Sequence, residues 1–351
     1  MAPPTVTVSR PVKKQVVDWQ EYSGQFAPVD DVALRARVSG YLTEIHFADG
    51  QMVNKGDLLF VIDPRPYEIA LAAARASVTQ AEASVELAKR QLARGGALRK
   101  NDFLAQSDYD IRFQQERAAE AQLDGARAAV RDAELNLAFT RITAPVSGRI
   151  GAHQVSIGNL ISGGGNNGAQ GTQLSTIVSL DPIYFTFDMS EADYLVLQRA
   201  AAAGRLPPVR NGKLKVDLRL DDETGWKHPG RLDFVDNQID RGAGTIRGRA
   251  VLNNPDFAIT PGGFGYVRVP ASAPYEALLV PEAAVMTDQS RKIVLTVADD
   301  GTVRAKPIVP GPVMDGMQVV RSGLAPDDKV IVNGLMRARP GGKVTPQMAT
   351  N

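Results

Sequence analysis

The sequence contains no cysteine, no long hydrophobic run and no excess of positive charge. Without cysteine, the chain cannot form disulfides, bind zinc through thiolates or use a thiol nucleophile. The longest stretch free of Asp, Glu, Lys and Arg covers residues 150–180, but it is too rich in Gly, Asn, Gln, Ser and Thr to form a membrane-spanning helix. The formal net charge of +1 argues against a nucleic-acid-binding protein.

A short β-motif occurs twice in the chain. Residues 33–43 read ALRARVSGYLT and residues 141–151 read RITAPVSGRIG, so Gly40 falls on Gly148 at an offset of 108 residues, and further on Gly50 falls on Gly158. A fixed offset indicates an internal repeat. Each half is too small to bury a core, so we expect the halves to pair into one small β-sandwich. Gly40 and Gly148 would then lie at equivalent turns, as would Gly50 and Gly158.

The residues between the two copies have a different composition. No proline occurs between Tyr67 and Ala144, and 19 of the 76 residues in 64–139 are alanine. Large apolar residues and alanines recur every seven residues, which predicts two packed helices, about 66–94 and 106–138. The seam positions are Leu71, Val78, Val85, Leu92, Ala74, Ala81, Ala88, Leu123, Val130, Leu137, Ala119, Ala126 and Ala133.

The break between these helices predicts a tight hairpin. Gly95-Gly96 is expected to end the first helix, and Ser107 or Asp108 to cap the second. Because the connection is short, the helices must be antiparallel. A third, shorter helix is predicted at SEADYLVLQRAAAAG, with Ser190 and Asp193 as its N-terminal cap and Gly204 as its end.

Four segments resemble those of periplasmic adaptor proteins, also called membrane fusion proteins, of RND-type multidrug efflux pumps. VSGYLTEIHFADGQMVNKGDLLFVIDP together with FTRITAPVSGRIG resembles their split lipoyl domain. RLDFVDNQIDRGAGTIRGRAVLNNPDFAITPGGFGYVRV, residues 231–269, resembles their β-barrel, and residues 278–335 resemble their membrane-proximal domain. The resemblance covers nearly the whole chain and is closest to the MexE-like branch.

The resemblance implies a mostly β, elongated and nested multi-domain fold with a long α-helical hairpin. The membrane-proximal β-domain would comprise 1–23 and 270–351, and the β-barrel 24–32 and 182–269. The split lipoyl-like β-sandwich would comprise 33–63 and 140–181, and the hairpin 64–139. Such nesting would put both termini at one end and the hairpin tip at the other.

The hairpin tip is the site that the resemblance assigns to the outer-membrane channel. RND adaptors carry there an Arg, a Leu four residues on and a Ser seven residues further. Arg94 and Leu98 match this pattern, whereas the third position is Ala105. Ser107 lies two residues later. The alternative for Arg94 and Leu98 is an ordinary helix end and loop anchor.

The implied function is that of a non-catalytic adaptor. It would link an inner-membrane RND transporter to an outer-membrane channel in the periplasm of a Gram-negative bacterium, as a ring of six copies. No cofactor is implied. The N-terminal MAPPTVTVSR has no signal-peptide pattern, so we expect a leader to have been removed before Met1, with any lipidated cysteine, unless the protein is anchored differently.

Specific residues bear on other possible functions. A lipoyl or biotinyl carrier needs a lysine where the hairpin joins the halves, and only Lys55, in an earlier turn, is near. GGGNNG at 163–168 matches a dinucleotide motif, but AQGTQLSTIVSL after it predicts a loop and then a strand where the motif requires a helix, so a flexible loop is the interpretation. A longer hairpin, or clusters of His and Met, would favour an adaptor of an ABC exporter or a metal pump, and the sequence shows neither. The three histidines, His46, His153 and His228, lack metal-site spacing.

Overall fold

A computed structural model describes residues 3–100, 103–164, 170–210 and 212–349. The contacts divide the chain into two compact units. One comprises Met1–Ala27, Tyr184–Leu252 and Gly262–Asn351, and the other comprises Pro28–Ile183 and Asn253–Pro261. The predicted mostly β class with a long helical hairpin is confirmed. No helix in the described ranges combines the length and hydropathy needed to span a membrane.

The elements follow one another in chain order as a β-rich series with the hairpin near its start. Up to the end of the sandwich they are β1 (Thr5–Ser9), β2 (Val12–Val16), β3 (Trp19–Pro28), β4 (Asp31–Arg35), β5 (Gly40–Ile45), β6 (Met52–Val53), β7 (Leu58–Ile62), α1 (Arg65–Arg99), α2 (Gln106–Phe139), β8 (Arg141–Thr143), β9 (Gly148–Ile150), β10 (Leu160–Ile161) and β11 (Gln173–Val178). The remainder are β12 (Ile183–Ser190), α3 (Glu191–Ala202), β13 (Leu214–Leu220), β14 (His228–Val235), β15 (Thr245–Leu252), β16 (Phe264–Pro270), β17 (Tyr275–Pro281), β18 (Val285–Asp288), β19 (Arg291–Val297), β20 (Val303–Pro307), β21 (Val309–Met314), β22 (Met317–Ser322), β23 (Lys329–Asn333) and β24 (Thr345–Met348).

The second unit contains a sandwich of two four-stranded sheets, ordered β10-β5-β7-β8 and β4-β11-β9-β6. At an offset of 108 residues β4, β5 and β6 correspond to β8, β9 and β10, and at an offset of 115 residues β7 corresponds to β11. The two sheets are therefore copies of each other. Each sheet takes strands from both halves of the repeat, so neither half can form a complete sheet alone.

The backbone register shows that the sequence repeat is also a structural repeat. Tyr41 pairs with Leu160 in one sheet, and Arg149 pairs with Met52 in the other, which is the same pair with the two halves exchanged. The N–H of Gly50 donates to the carbonyl of Ile150 at 3.1 Å, and its counterpart Gly158 donates to Leu42 at 2.8 Å. The predicted pairing of two half-motifs into one sandwich is thus confirmed.

Apolar residues of both halves fill the space between these sheets. A fully buried large side chain of this kind stabilises a fold by roughly 1.5–3 kcal/mol. The first half contributes Leu42, Leu59, Phe60 and Ile62, and the second contributes Ile150, Ile161, Leu174 and Ile177, all at most 1% exposed.

The first unit contains a closed barrel of order β12-β15-β14-β13-β16-β3 and two further sheets. The further sheets are ordered β18-β19-β23-β1-β24, with β20 beside β19, and β2-β17-β22-β21. In the barrel core Phe26 and Phe185 pack edge to face with ring centres 4.8 Å apart. The predicted cap of α3 is confirmed, because the N–H of Asp193 donates to Ser190 Oγ at 3.1 Å.

Candidate partner-contact site at the hairpin tip

The hairpin is positioned by the sandwich from which it emerges. Helix α1 begins three residues after β7 and α2 ends two residues before β8, so both helices are anchored at the same end. With 35 and 34 residues, the helices run about 50 Å at 1.5 Å per residue. Lys100 and residues 103–105, which lie between the two helices in the chain, are therefore far from the sandwich.

The predicted seam holds the two helices together. Each of the thirteen seam positions is buried or half-buried, and Ala81, Val85 and Leu123 form the centre of the contact. Alanines between the larger residues let the helices approach closely. Three ion pairs also cross the seam on its exposed flanks: Arg75–Glu134 at 2.9 Å, Lys89–Glu120 at 2.8 Å and Arg127–Glu82 at 3.4 Å. Exposed pairs contribute little, so the seam is held mainly by apolar packing.

The predicted end of the first helix at Gly95-Gly96 is wrong. Helix α1 continues through both glycines to Arg99. Gly95 is buried, and a Cβ there would lie 2.9 Å from the Arg112 side chain and 3.4 Å from that of Leu104. A glycine fits this position of the helix because the side chains of Arg112 and Leu104 pack close to the α1 backbone and leave no room for a Cβ.

The predicted cap of the second helix is also wrong. Ala105 occupies the N-cap position with extended backbone, and no side chain caps this helix. The Ala105 carbonyl accepts a backbone hydrogen bond from the N–H of Tyr109 at 3.3 Å. Ser107 and Asp108 are exposed residues of the first turn. Their hydroxyl and carboxylate therefore face solvent at the tip.

Arg94 and Leu98 lie one turn apart on the last part of α1, and both are exposed. The Nε of Arg94 donates to the Arg90 carbonyl at 3.4 Å, and the Leu98 side chain is 45% exposed. Residues four apart share one helix face. Arg94 and Leu98 thus present a cation and an apolar group side by side at the tip.

Phe103 is a tip residue that the sequence analysis missed. Its side chain is 78% exposed, and its N–H donates to the Leu98 carbonyl at 3.1 Å. This bond joins the backbone of Phe103 to the end of α1, and the large apolar side chains of Leu98 and Phe103 are both exposed at the tip. The signal in the sequence was the pair Phe103-Leu104 within an otherwise polar connection. Exposed apolar clusters of this kind mark contact sites for other proteins.

The four turn glycines occupy paired places in the sandwich. Gly50 and Gly158 have φ of +79° and +89°, the left-handed region that favours glycine. Gly40 and Gly148 are the first residues of β5 and β9. At Gly148 a Cβ would lie 2.2 Å from the Val178 carbonyl oxygen, and at Gly40 it would lie 2.7 Å from Ile62 Cγ2. Two of the glycines thus provide a turn and two provide room for a neighbour.

The candidate residues for a carrier, a metal site or a dinucleotide site lie apart from the tip. Lys55 is in the turn before β7, where its N–H donates to Ser147 Oγ at 2.9 Å. His46, His153 and His228 each lie within 3.0 Å of a carboxylate. Within the described ranges, no group of three or more His, Asp or Glu side chains could hold a metal ion. Most of the GGGNNG motif, residues 165–168, lies outside the described residues.

Three consecutive parts of the chain match domain families of the RND membrane fusion proteins. Residues 30–173 match the "RND MFP, barrel-sandwich hybrid domain", and residues 182–273 match the "RND MFPs, beta-barrel domain". Residues 276–337 match the "RND MFPs, C-terminal permuted SH3 domain". Together the three matches follow the order of the domains along the whole chain.

Full-length relatives agree with these matches. The efflux pump periplasmic linker BepF of Brucella suis is 38% identical over 93% of this chain and 77% of its own length. The multidrug efflux pump subunit AcrA of Escherichia coli is 33% identical over 94% of this chain and 82% of its own length.

Solved structures share the fold. MacA from Actinobacillus actinomycetemcomitans has a TM-score of 0.53 at 19% identity, and a MacA–MexA chimera with the Pseudomonas aeruginosa MexA α-hairpin has 0.59 at 21%. Each comparison covers 92% of this chain and 98% of the other. By its domain matches and its relatives, this chain belongs to the family of RND-type membrane fusion proteins.

Proposed function

We propose that this protein is the non-catalytic periplasmic adaptor of a tripartite RND multidrug efflux pump. The observation that carries the proposal is its identity of 33–38% with two efflux-pump components over more than nine-tenths of the chain, hairpin included. The relatives are named for a pump and for a periplasmic linker. Nothing in that role requires bond chemistry, and the exposed tip fits a protein that works by contact.

The adaptor would bind an inner-membrane RND transporter and an outer-membrane channel, in the periplasm and associated with the inner membrane. A ring of six copies would surround the transporter. For the described residues we propose the four-part division expected from the sequence: a membrane-proximal domain, the barrel, the sandwich and the hairpin. The relation to the MexE-like branch stays a prediction from the sequence.

The hairpin tip would contact the channel. Leu98 and Phe103 offer two adjacent apolar side chains, and Arg94 places a cation one helical turn away. Burying the apolar pair against a partner would provide affinity, and the cation would orient the contact toward a carboxylate or carbonyl group. Ala105 offers no hydroxyl, so this position contributes only its small size.

The test is drug accumulation in cells that lack their own adaptor gene but keep the cognate transporter and channel. The cells would be complemented with the wild-type protein, with Leu98→Asp or with Leu87→Asp, at matched expression. Leu87 is the control, because it is 54% exposed on the same helix about three turns from Leu98. A charge placed in a packed contact should cost about 2 kcal/mol or more.

We expect the wild type and Leu87→Asp to restore efflux and Leu98→Asp to fail. If all three proteins restore efflux, the tip assignment is wrong and the adaptor role stands. Failure of the wild type, despite folded protein, would contradict the role in drug efflux. Failure of both variants alone would contradict a contact confined to the tip.

A further inference from the structure

A cavity of about 650 Å³ lies where the two sheets of the sandwich end beside each other. It is lined by the edge strands β4 and β8 and by the end of α2. Its walls include three arginines, Arg35, Arg37 and Arg141, and the apolar side chains of Phe139 and Ile142. This volume is within the range of cavities that hold small organic ligands.

The charge of the cavity has one sign. No aspartate or glutamate is among the lining residues in the described part of the chain. Within the described ranges none of the three arginines forms an ion pair with a carboxylate. Arg35 donates to the Gly171 carbonyl and to Gln173 Oε1, both at 3.1 Å, and the Arg37 guanidinium lies 4.9 Å from the centre of the Phe139 ring. Three exposed arginine side chains thus border one concave space, and their positive charges add there.

The internal repeat shows how unequal the two edges are. At the offset of 108, Arg141 corresponds to Ala33, Arg35 to Thr143 and Arg37 to Pro145. At two of these places the backbone pairing is the same in both halves, since Thr143 pairs with Leu58 as Arg35 pairs with Gln173, and Arg141 pairs with Val61 as Ala33 pairs with Thr176. The fold therefore does not require an arginine at any of the three positions. Each corresponding pair has one arginine and one neutral residue, and all three arginines border the same cavity.

We infer that this cavity binds a small organic anion with an apolar body. The arginines would hold its carboxylate, sulfonate or phosphate through charge-assisted hydrogen bonds, and Phe139 and Ile142 would pack against its apolar part. Arginines also protect free sheet edges from pairing with other chains, and that function needs no ligand. The two explanations differ in whether an anion binds with a defined stoichiometry. The proposed site is separate from the hairpin tip and does not depend on the adaptor role.

The experiment measures binding of 8-anilino-1-naphthalenesulfonate to the purified full-length protein by fluorescence titration. The neutral analogue N-phenyl-1-naphthylamine, which lacks the sulfonate, is titrated in parallel. The variants Arg141→Ala and Arg35→Thr introduce the residues that the corresponding positions already carry, so the strand geometry is expected to persist. Arg149→Gln is the control, because Arg149 belongs to the same sandwich and does not line the cavity.

We expect one saturable site for the sulfonate, with weaker binding of the neutral analogue and a decrease in affinity as salt rises. Arg141→Ala should lower the affinity about tenfold or more, and Arg149→Gln should leave it unchanged. The affinity of Arg35→Thr is interpreted only if its circular dichroism spectrum matches that of the wild type. If the spectrum differs, the result for Arg141→Ala alone tests the proposal. Non-saturable binding, equal binding of both probes, or unchanged binding by Arg141→Ala would each overturn the proposal and leave edge protection as the explanation.

Discussion

The two halves of the sandwich share a backbone and differ in their surfaces. Counterpart strands make the same pairings and the same cross-links, as with Gly50 to Ile150 and Gly158 to Leu42. On the surface, however, Tyr41 corresponds to Arg149, and Asp49 to Ile157. The strand register of the sandwich is therefore maintained by buried positions and close backbone approaches, while exposed positions are free to diverge. Matched substitutions in the two halves can test this directly.

The protein provides separate signals for its two units. Both tryptophans, Trp19 and Trp226, belong to the first unit, so tryptophan fluorescence follows that unit. Helices α1 and α2 belong to the second unit and hold most of the helical residues, so circular dichroism at 222 nm follows mainly that unit. A substitution in the sandwich should shift the circular dichroism transition and leave the fluorescence transition in place.

The largest effect is expected from Gly148→Ala compared with Gly40→Ala. At Gly148 the new Cβ would meet the Val178 carbonyl oxygen at 2.2 Å, and a paired backbone cannot yield. At Gly40 it would lie 2.7 Å from Ile62 Cγ2, a buried side-chain methyl that yields more readily than paired backbone, and the φ of +156° adds backbone strain. We expect a loss of unfolding free energy of about 3–5 kcal/mol for Gly148→Ala and about 1–3 kcal/mol for Gly40→Ala. Urea unfolding followed at 222 nm measures both, and equal losses would contradict the argument from close approach.

Leu59→Ala and Leu174→Ala should destabilise the second unit equally. These counterpart residues are fully buried in the same core. Removing a buried leucine side chain costs about 2–5 kcal/mol, and the cost depends on how far the neighbours close the cavity. Because the repeat places both residues at equivalent backbone positions of one core, the losses should agree within about 1 kcal/mol. A larger difference in the urea midpoints would show that the two sheets are not energetically equivalent.

Ser39→Ala and Ser147→Ala should have smaller and similar effects. Ser39 Oγ accepts from the N–H of Gly163 at 2.8 Å, and Ser147 Oγ accepts from the N–H of Lys55 at 2.9 Å. Both bonds are exposed, so each loss should be about 0.5–1 kcal/mol. Thermal unfolding at 222 nm checks this, with Ser107→Ala at the hairpin tip as a control that should leave the midpoint unchanged.

The smallest effect distinguishes the halves by pH. Asp49 Oδ1 lies 2.8 Å from the ring atom Nδ1 of His153 and also accepts from the backbone N–H of His153 at 3.1 Å. These two contacts hold the pKa of Asp49 below its usual range. A lowered pKa stabilises the fold above the unfolded value of about 3.9, and this contribution disappears as the pH falls through the folded value. The melting temperature of Asp49→Asn should therefore be below that of the wild type at pH 6 and converge with it toward pH 3. A difference that stays constant over this range would exclude the carboxylate as its source.

Much of this fold could be predicted because its patterns are periodic. The heptads identified all thirteen seam positions, and the offset of 108 residues identified the strands that pair across the sandwich. The helix ends at the tip were predicted wrongly. Gly95 remains helical because another segment packs against it, and Ala105 takes the N-cap position without a side-chain bond. Such choices depend on tertiary neighbours that local sequence does not show.

The sites were less predictable than the fold. Phe103 was missed because one apolar residue in a polar connection has no period to identify it. The arginine cavity was missed because Arg35 and Arg37 read as the polar positions of an ordinary strand, ALRAR. Only the structure shows that Arg141, more than a hundred residues later, borders the same space.

The insertion of the hairpin between the two halves also sets an order of folding. Since each sheet needs strands from both halves, the sheet that contains β10 cannot be completed until residue 161 has left the ribosome, and the sheet that contains β11 must wait for residue 178. The helices need only each other and a short connection, so their pairing is local and fast. Once paired, they hold the end of β7 beside the start of β8 and remove most of the entropy cost of closing a long loop. We therefore expect the hairpin to form first and to favour the folding of the sandwich that supports it.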